Sequence, residues 1–145
     1  MTAAVAAALA SVLAAIALLH AYWGLGGLWP AADEQALVRT VIGDPRRKRM
    51  PPPRLCWLVA GALLLTAAWP LLLARLSGDL LPHWLVAGIG LAMMAVFLLR
   101  GLAGFLPAWR VRHTLEPFST FDRRYYSPLC LVIAAGFAFV LLKGN

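Results

Sequence analysis

MTAAVAAALASVLAAIALLHAYWGLGGLWPAA, residues 1–32, contains no Asp, Glu, Lys or Arg. An α-helix needs about 20 apolar residues to cross a hydrocarbon core about 30 Å thick, and this stretch exceeds that length. Working outward, three more uncharged runs follow: Leu55–Ala74, Leu80–Leu99 and Tyr125–Leu142. Backbone amides find no water inside a bilayer, so such runs must be helices. A membrane barrel would alternate apolar and polar residues, and no such alternation is present. The sequence predicts an all-α membrane protein, a four-transmembrane-helix bundle with spans at about 3–28, 55–74, 82–106 and 125–143. The connections are too short to hold a second folded unit, so residues 1–145 read as a single domain.

Composition agrees: 62% of residues are hydrophobic and 13% charged, with a mean hydropathy of +0.79. A water-soluble domain is excluded on these values. The net charge of +7 does not point to nucleic acid, because the basic residues are confined to the connections between spans. Six of the thirteen Lys and Arg lie between Asp33 and Arg54, and five lie between Arg100 and Arg124. Eleven of thirteen on one side place the basic loops 31–54 and 107–124 in the cytoplasm and both termini outside, by the positive-inside rule. The first span lacks a basic n-region and is too long for a signal-peptide core, so it reads as an uncleaved helix.

Along the first span, Ala3, Ala7, Ala10, Ala14 and Ala17 recur at three- and four-residue steps, a smooth face for close helix packing. Gly26-Gly27 followed by Pro30 marks its end, with Trp23 and Trp29 at the interface. Asp33-Glu34 opens a short helix whose Leu37, Val38, Val41 and Ile42 keep helical spacing and predict a helix on the membrane surface. Arg46-Arg47-Lys48-Arg49 then reads as an anchor on anionic lipid head groups. In the second span Trp57 and Trp69 read as interface anchors, and Ser77-Gly78-Asp79 supplies the turn of a helical hairpin. Ser127-Pro128 carries the signature of an N-cap followed by N1 proline.

Polar residues within or beside the spans are few. His20 shares a helical face with Trp23, Gly24 and Gly27, and the glycines predict a recess beside the imidazole. Arg100 lies inside the third span, where a charge must find a partner, a cavity or the head groups. Asp122, Tyr126 and Cys130 stand at i, i+4 and i+8 and share a face if the helix is continuous; if Ser127 is its cap, Asp122 falls in the preceding loop. One reading is a polar pocket in which Arg100 pairs with Asp122 while His20 and Tyr126 bond a ligand or each other. The others are a purely structural Arg100–Asp122 pair, and an Arg100 that snorkels while Asp122 caps a helix.

The candidate pocket is therefore His20, Trp23, Gly27, Arg100, Asp122, Tyr126, Ser127 and Cys130. No metal site is expected: the three histidines fall on different levels, and no H-x-x-x-H or C-x-x-C spacing exists. No cofactor is expected either. Cys56 and Cys130 lie near the cytoplasmic face, so free thiols are the expectation.

His20-x-x-Trp23-x-x-Gly26-Gly27-x-Trp29-Pro30, Phe97-Leu98-Leu99-Arg100 and Phe121-Asp122-x-x-Tyr125-Tyr126-Ser127-Pro128-Leu129-Cys130-Leu131 together carry a resemblance. The chain resembles a bacterial family of small integral membrane proteins known as domain of unknown function 3995. The resemblance covers essentially the whole chain, and Tyr-Ser-Pro-Leu-Cys is its most specific block. It implies a multi-pass protein of the bacterial inner membrane and leaves the activity open. Asp33 to Arg54 is the part least characteristic of the family.

Three functional classes follow. The inner-half pocket binds or transports a small amphiphile; the chain is an accessory subunit of a larger membrane complex; or it is a membrane-embedded enzyme on an apolar substrate. No constellation of nucleophile, base and orienting residue supports the last. Transport through four short helices would call for a dimer. The partners expected are membrane lipids, a second copy or a larger complex, and no nucleic acid.

Overall fold

The computed structural model describes residues 1–74 and 81–143. Its helices are α1 (Thr2–Gly24), α2 (Glu34–Val41), α3 (Pro53–Leu73), α4 (His83–Ala103), α5 (Pro107–Arg112) and α6 (Phe118–Lys143). There is no strand among the described residues. By length and composition α1, α3, α4 and α6 are each able to cross a membrane. At 1.5 Å per residue they are about 30–40 Å long.

The four long helices pack as two close pairs, α1 with α3 and α4 with α6, joined chiefly through α1 against α6. The core is built from Ala6, Leu9 and Leu13 of α1, Ala67 and Leu73 of α3, Val86 of α4, and Ile133, Phe137 and Val140 of α6. On α1 the buried stripe is Ala6, Leu9, Leu13 and Ala17. The expected alanine face is only partly the packing face, because Ala3 and Ala7 are exposed. Leucines fill the contact instead, and α6 accommodates Leu9 at Gly136, where a Cβ would lie 2.7 Å from a Leu9 methyl.

Helix ends follow local chemistry. α1 stops at Gly24, four residues short of the expected Leu28. The Gly27 N–H bonds to the Tyr22 carbonyl and the Gly26 N–H to that of Trp23, both at 3.0 Å. Gly26 has φ +86°. This is a Schellman cap, and its left-handed residue favours glycine. α2 is capped by Asp33, whose Oδ1 accepts the Ala36 N–H at 2.8 Å, and it ends at Gly43 with φ +72°. Its apolar Leu37 and Val38 are buried. They turn toward the protein, where α2 packs on the start of α6, and do not form the free membrane-facing stripe expected of a surface helix.

The largest departure is at α6, which begins at Phe118. Residues Asp122–Tyr126 form a π-helical turn, and the regular helix resumes at Ser127. Ser127 is thus inside a continuous helix and caps nothing, and Asp122 is helical. Trp69 also differs from its expected role: its indole N–H donates to the Val86 carbonyl at 3.0 Å, tying α3 to α4. Ser77-Gly78-Asp79 lies outside the described residues.

The two basic loops meet at one end of the helices. The Leu115 N–H bonds to the Gly43 carbonyl at 3.1 Å, and Arg39 Nε donates to the Glu116 carbonyl at 3.2 Å. The Tyr126 hydroxyl donates to the Thr40 carbonyl at 3.1 Å. Glu116 Oε2 accepts the Thr120 N–H at 3.2 Å, and hydrogen bonding from the Thr120 side chain holds the Glu116 carboxyl below its ordinary value.

Candidate functional site

At the end where the loops dock, α4 delivers Arg100 in its last turn, a position where the helix dipole favours a cation. Opposite it stands Asp122, 3% exposed. Arg100 Nη2 donates to Asp122 Oδ1 at 2.6 Å, and Nη1 donates to Ser127 Oγ at 3.2 Å. The Ser127 hydroxyl donates in turn to Asp122 Oδ1 at 3.2 Å. Trp109 of α5 closes the group from the other side, with its indole N–H on Asp122 Oδ2 at 2.9 Å. The Arg100 guanidinium carbon lies 4.7 Å from the centre of the Trp109 ring.

Local structure explains each placement. In an α-helix the residue four places after Asp122 would stack over it; in the π turn it is the fifth, Ser127, whose N–H bonds to the Asp122 carbonyl. The close approach of α4 depends on two glycines. A Cβ at Gly101 would lie 2.6 Å from Leu131 and 3.0 Å from the Ser127 carbonyl, and one at Gly104 would overlap the Ser127 hydroxyl. Pro107 opens α5 and so turns Trp109 back over the pair.

The network holds α4, α5 and α6 together. Charge-assisted hydrogen bonds contribute about 1.5–3 kcal/mol each, and the three donors engage both oxygens of the carboxylate. A general base needs a free lone pair within reach of a substrate proton. Asp122 accepts three hydrogen bonds, two on Oδ1 and one on Oδ2, and through them ties α4, α5 and α6 together.

Of the eight residues expected in one pocket, three are joined: Arg100, Asp122 and Ser127. His20 is elsewhere. Its Nδ1 lies 2.8 Å from the Ile16 carbonyl, and its ring meets Trp23 edge-on at 5.1 Å. Among the described residues no hydrogen bond or ion pair links His20 to Arg100, Asp122 or Tyr126. The expected recess beside it is filled: Gly27 gives room to the Tyr22 ring and Gly24 to Trp57. Trp23 bonds to the Trp29 carbonyl at 2.8 Å. The Tyr126 hydroxyl reaches the Thr40 carbonyl. Cys130 is a half-buried free thiol.

Trp109, Gly101 and His113 were missed by sequence reasoning. His113 stacks on Trp109 with centroids 4.0 Å apart, Phe118 follows at 5.7 Å, and Tyr126 lies 5.7 Å beyond Phe118. An aromatic column therefore connects the Asp122 cluster to α2. The i, i+4 spacing of Trp109 and His113 was the available signal.

Beside the cluster is an open cleft of about 450 Å³. Its lining combines apolar Ile42, Ala103, Leu106 and Ala108 with polar Asp44, Arg47, Arg112 and His113, and Trp109 is shared with the buried network. Asp44 Oδ1 accepts the Arg46 N–H at 2.9 Å, and Oδ2 lies 4.0 Å from Arg112 Nε. Arg46, Arg47, Lys48 and Arg49 are all exposed.

The family model described as protein of unknown function (DUF3995) matches residues 13–137. The matched region contains the Arg100–Asp122 network, the cleft and every motif that carried the resemblance. No curated protein and no solved structure matches the chain.

Proposed function

The chain belongs to the DUF3995 family, and from that premise we propose that it binds a small lipid-like amphiphile in the cleft where its two basic loops meet. The reading sets a four-helix bundle in the bacterial inner membrane, with both termini outside and loops 31–54 and 107–124 in the cytoplasm, following the charge bias. One observation carries the binding site: apolar residues at and just after the end of α4 and two exposed arginines, Arg47 and Arg112, line the same open cleft. That pairing suits a molecule with a phosphate head and an acyl tail, since guanidinium groups bind phosphate oxygens in a forked geometry. The buried Arg100–Asp122–Ser127 network frames the cleft through Trp109 and does not contact the ligand. Arg46, Lys48 and Arg49, which lie outside the cleft lining, rest on the surrounding anionic head groups.

Native mass spectrometry of protein extracted gently from its own membrane tests the reading. Wild type retains a lipid-sized adduct, and the Arg47→Ala/Arg112→Ala double variant loses it. Equal adducts on both proteins would remove the cleft as the binding site.

A further inference from the structure

The lining of the cleft carries both signs of charge. Asp44 is 7% exposed, and its Oδ1 is engaged by the Arg46 N–H at 2.9 Å. Its Oδ2 has a cation 4.0 Å away, Arg112 Nε, beyond hydrogen-bonding distance. An acceptor with unused capacity thus stands directly beside the Arg112 guanidinium, with Arg47 on the same cleft.

We propose that the head group held here is an ammonium phosphodiester, that of an ethanolamine phospholipid; this rests on the amphiphile reading above. The phosphate lies between Arg47 and Arg112, and the primary ammonium, one ethylene unit away, donates to Asp44 Oδ2. The acyl chains leave along Ala103 and Leu106 toward the bilayer. Each alternative head group leaves something unmet. A glycerol head group can donate a hydroxyl to Asp44 but supplies no cation, so the charge of the carboxylate is left without a full partner. A choline head carries the cation but has no N–H to donate, and its methyl groups keep the charge at a distance.

The test is a titration of the purified full chain in detergent, read by native mass spectrometry, with four lipids of identical acyl chains. These are phosphatidylethanolamine, its N-monomethyl derivative, phosphatidylcholine and phosphatidylglycerol. The ethanolamine lipid binds tightest, and affinity falls about fivefold to tenfold on passing to choline, the scale of one charge-assisted hydrogen bond in a partly wet site. Asp44→Asn retains the Oδ1 acceptor for Arg46 and removes the difference. Equal affinities across the series, or a preference that survives Asp44→Asn, would overturn the head-group assignment. The lipid series on the unaltered chain decides the matter even if that variant folds poorly. Arg47→Ala/Arg112→Ala separates the two levels. If it weakens every lipid while ethanolamine and choline bind alike, the head-group assignment alone fails. If it changes no affinity, the cleft is not the lipid site and both readings fall.

Discussion

Ser127 sits five residues after Asp122, yet its hydroxyl donates to the Asp122 carboxylate at 3.2 Å because a π turn separates them. An α-helical turn would have brought Tyr126 there instead. The extra residue frees Tyr126 to reach Thr40 of α2, while Ser127 completes the set of donors around a buried acid. One irregular turn therefore serves the ion pair and the docking of the first loop together.

Breaking the pair should be costly. Arg100→Ala leaves Asp122, 3% exposed, as a buried carboxylate without its cation, and such losses run to about 3–5 kcal/mol. The expected result is a large fall in thermal stability in detergent. The Arg100→Ala/Asp122→Ala double variant should be less destabilised than the sum of the two single changes, since it leaves no orphan charge. Additive losses in that cycle would show that the two residues act independently.

Glycines should divide by position. Gly104→Ala drives a methyl into the Ser127 hydroxyl and should cost about 1–3 kcal/mol, the usual penalty for overpacking. Gly61 has nothing within 4 Å of where a Cβ would sit. Gly61→Ala should be neutral or stabilising by up to about 1 kcal/mol, through helix propensity. Paired melting curves of the two variants check this, and a similar loss in both would contradict the packing assigned to Gly104.

The π turn should tolerate shortening. Deleting the exposed Arg124 brings Asp122 and Ser127 to an i, i+4 relation in an ordinary α-helix, which keeps them on one face. The protein should stay folded, with its Tyr126–Thr40 bond weakened. Deleting Val132, in the regular part of α6, instead rotates one side of the helix by about 100° against the other. That variant should fail to fold. Circular dichroism and size-exclusion profiles distinguish the two outcomes, and equal disruption by both deletions would argue against the π turn as the residue sink.

Much of the fold was legible because a bilayer imposes a length on apolar runs that a sequence cannot disguise. The Arg100–Asp122 contact was legible for a related reason: a charge inside a span needs a partner, and the choice was small. The positions of the remaining candidate residues have identifiable causes that a periodic reading does not contain. The i, i+4, i+8 rule assumes 3.6 residues per turn, and the π turn breaks that period between Asp122 and Ser127, so Ser127 meets the Asp122 carboxylate while the Tyr126 hydroxyl reaches Thr40. Ser127-Pro128 has the chemistry of a helix start, but here the chain arrives already helical. Gly24 and Gly27 promised a recess, yet the glycines accommodate the rings of Trp57 and Tyr22. Trp109 was overlooked because its contact with Asp122 runs through a turn at Pro107, and no periodicity reports such a turn. The docking of the two loops depends on pairs such as Gly43–Leu115, which no local pattern encodes.

The bond from Tyr126 to Thr40 joins residues 86 positions apart. A ribosome delivers the first partner long before the second. When Leu37 and Val38 emerge, Phe118 and the rest of the surface that will cover them have not yet been translated. The first loop must wait while α3 and α4 are made, and its final seat is created only when α6 is in place. The seat of the first loop is thus complete only once α6 has been made, and a chain stalled before Phe118 would carry a first loop with nowhere to rest.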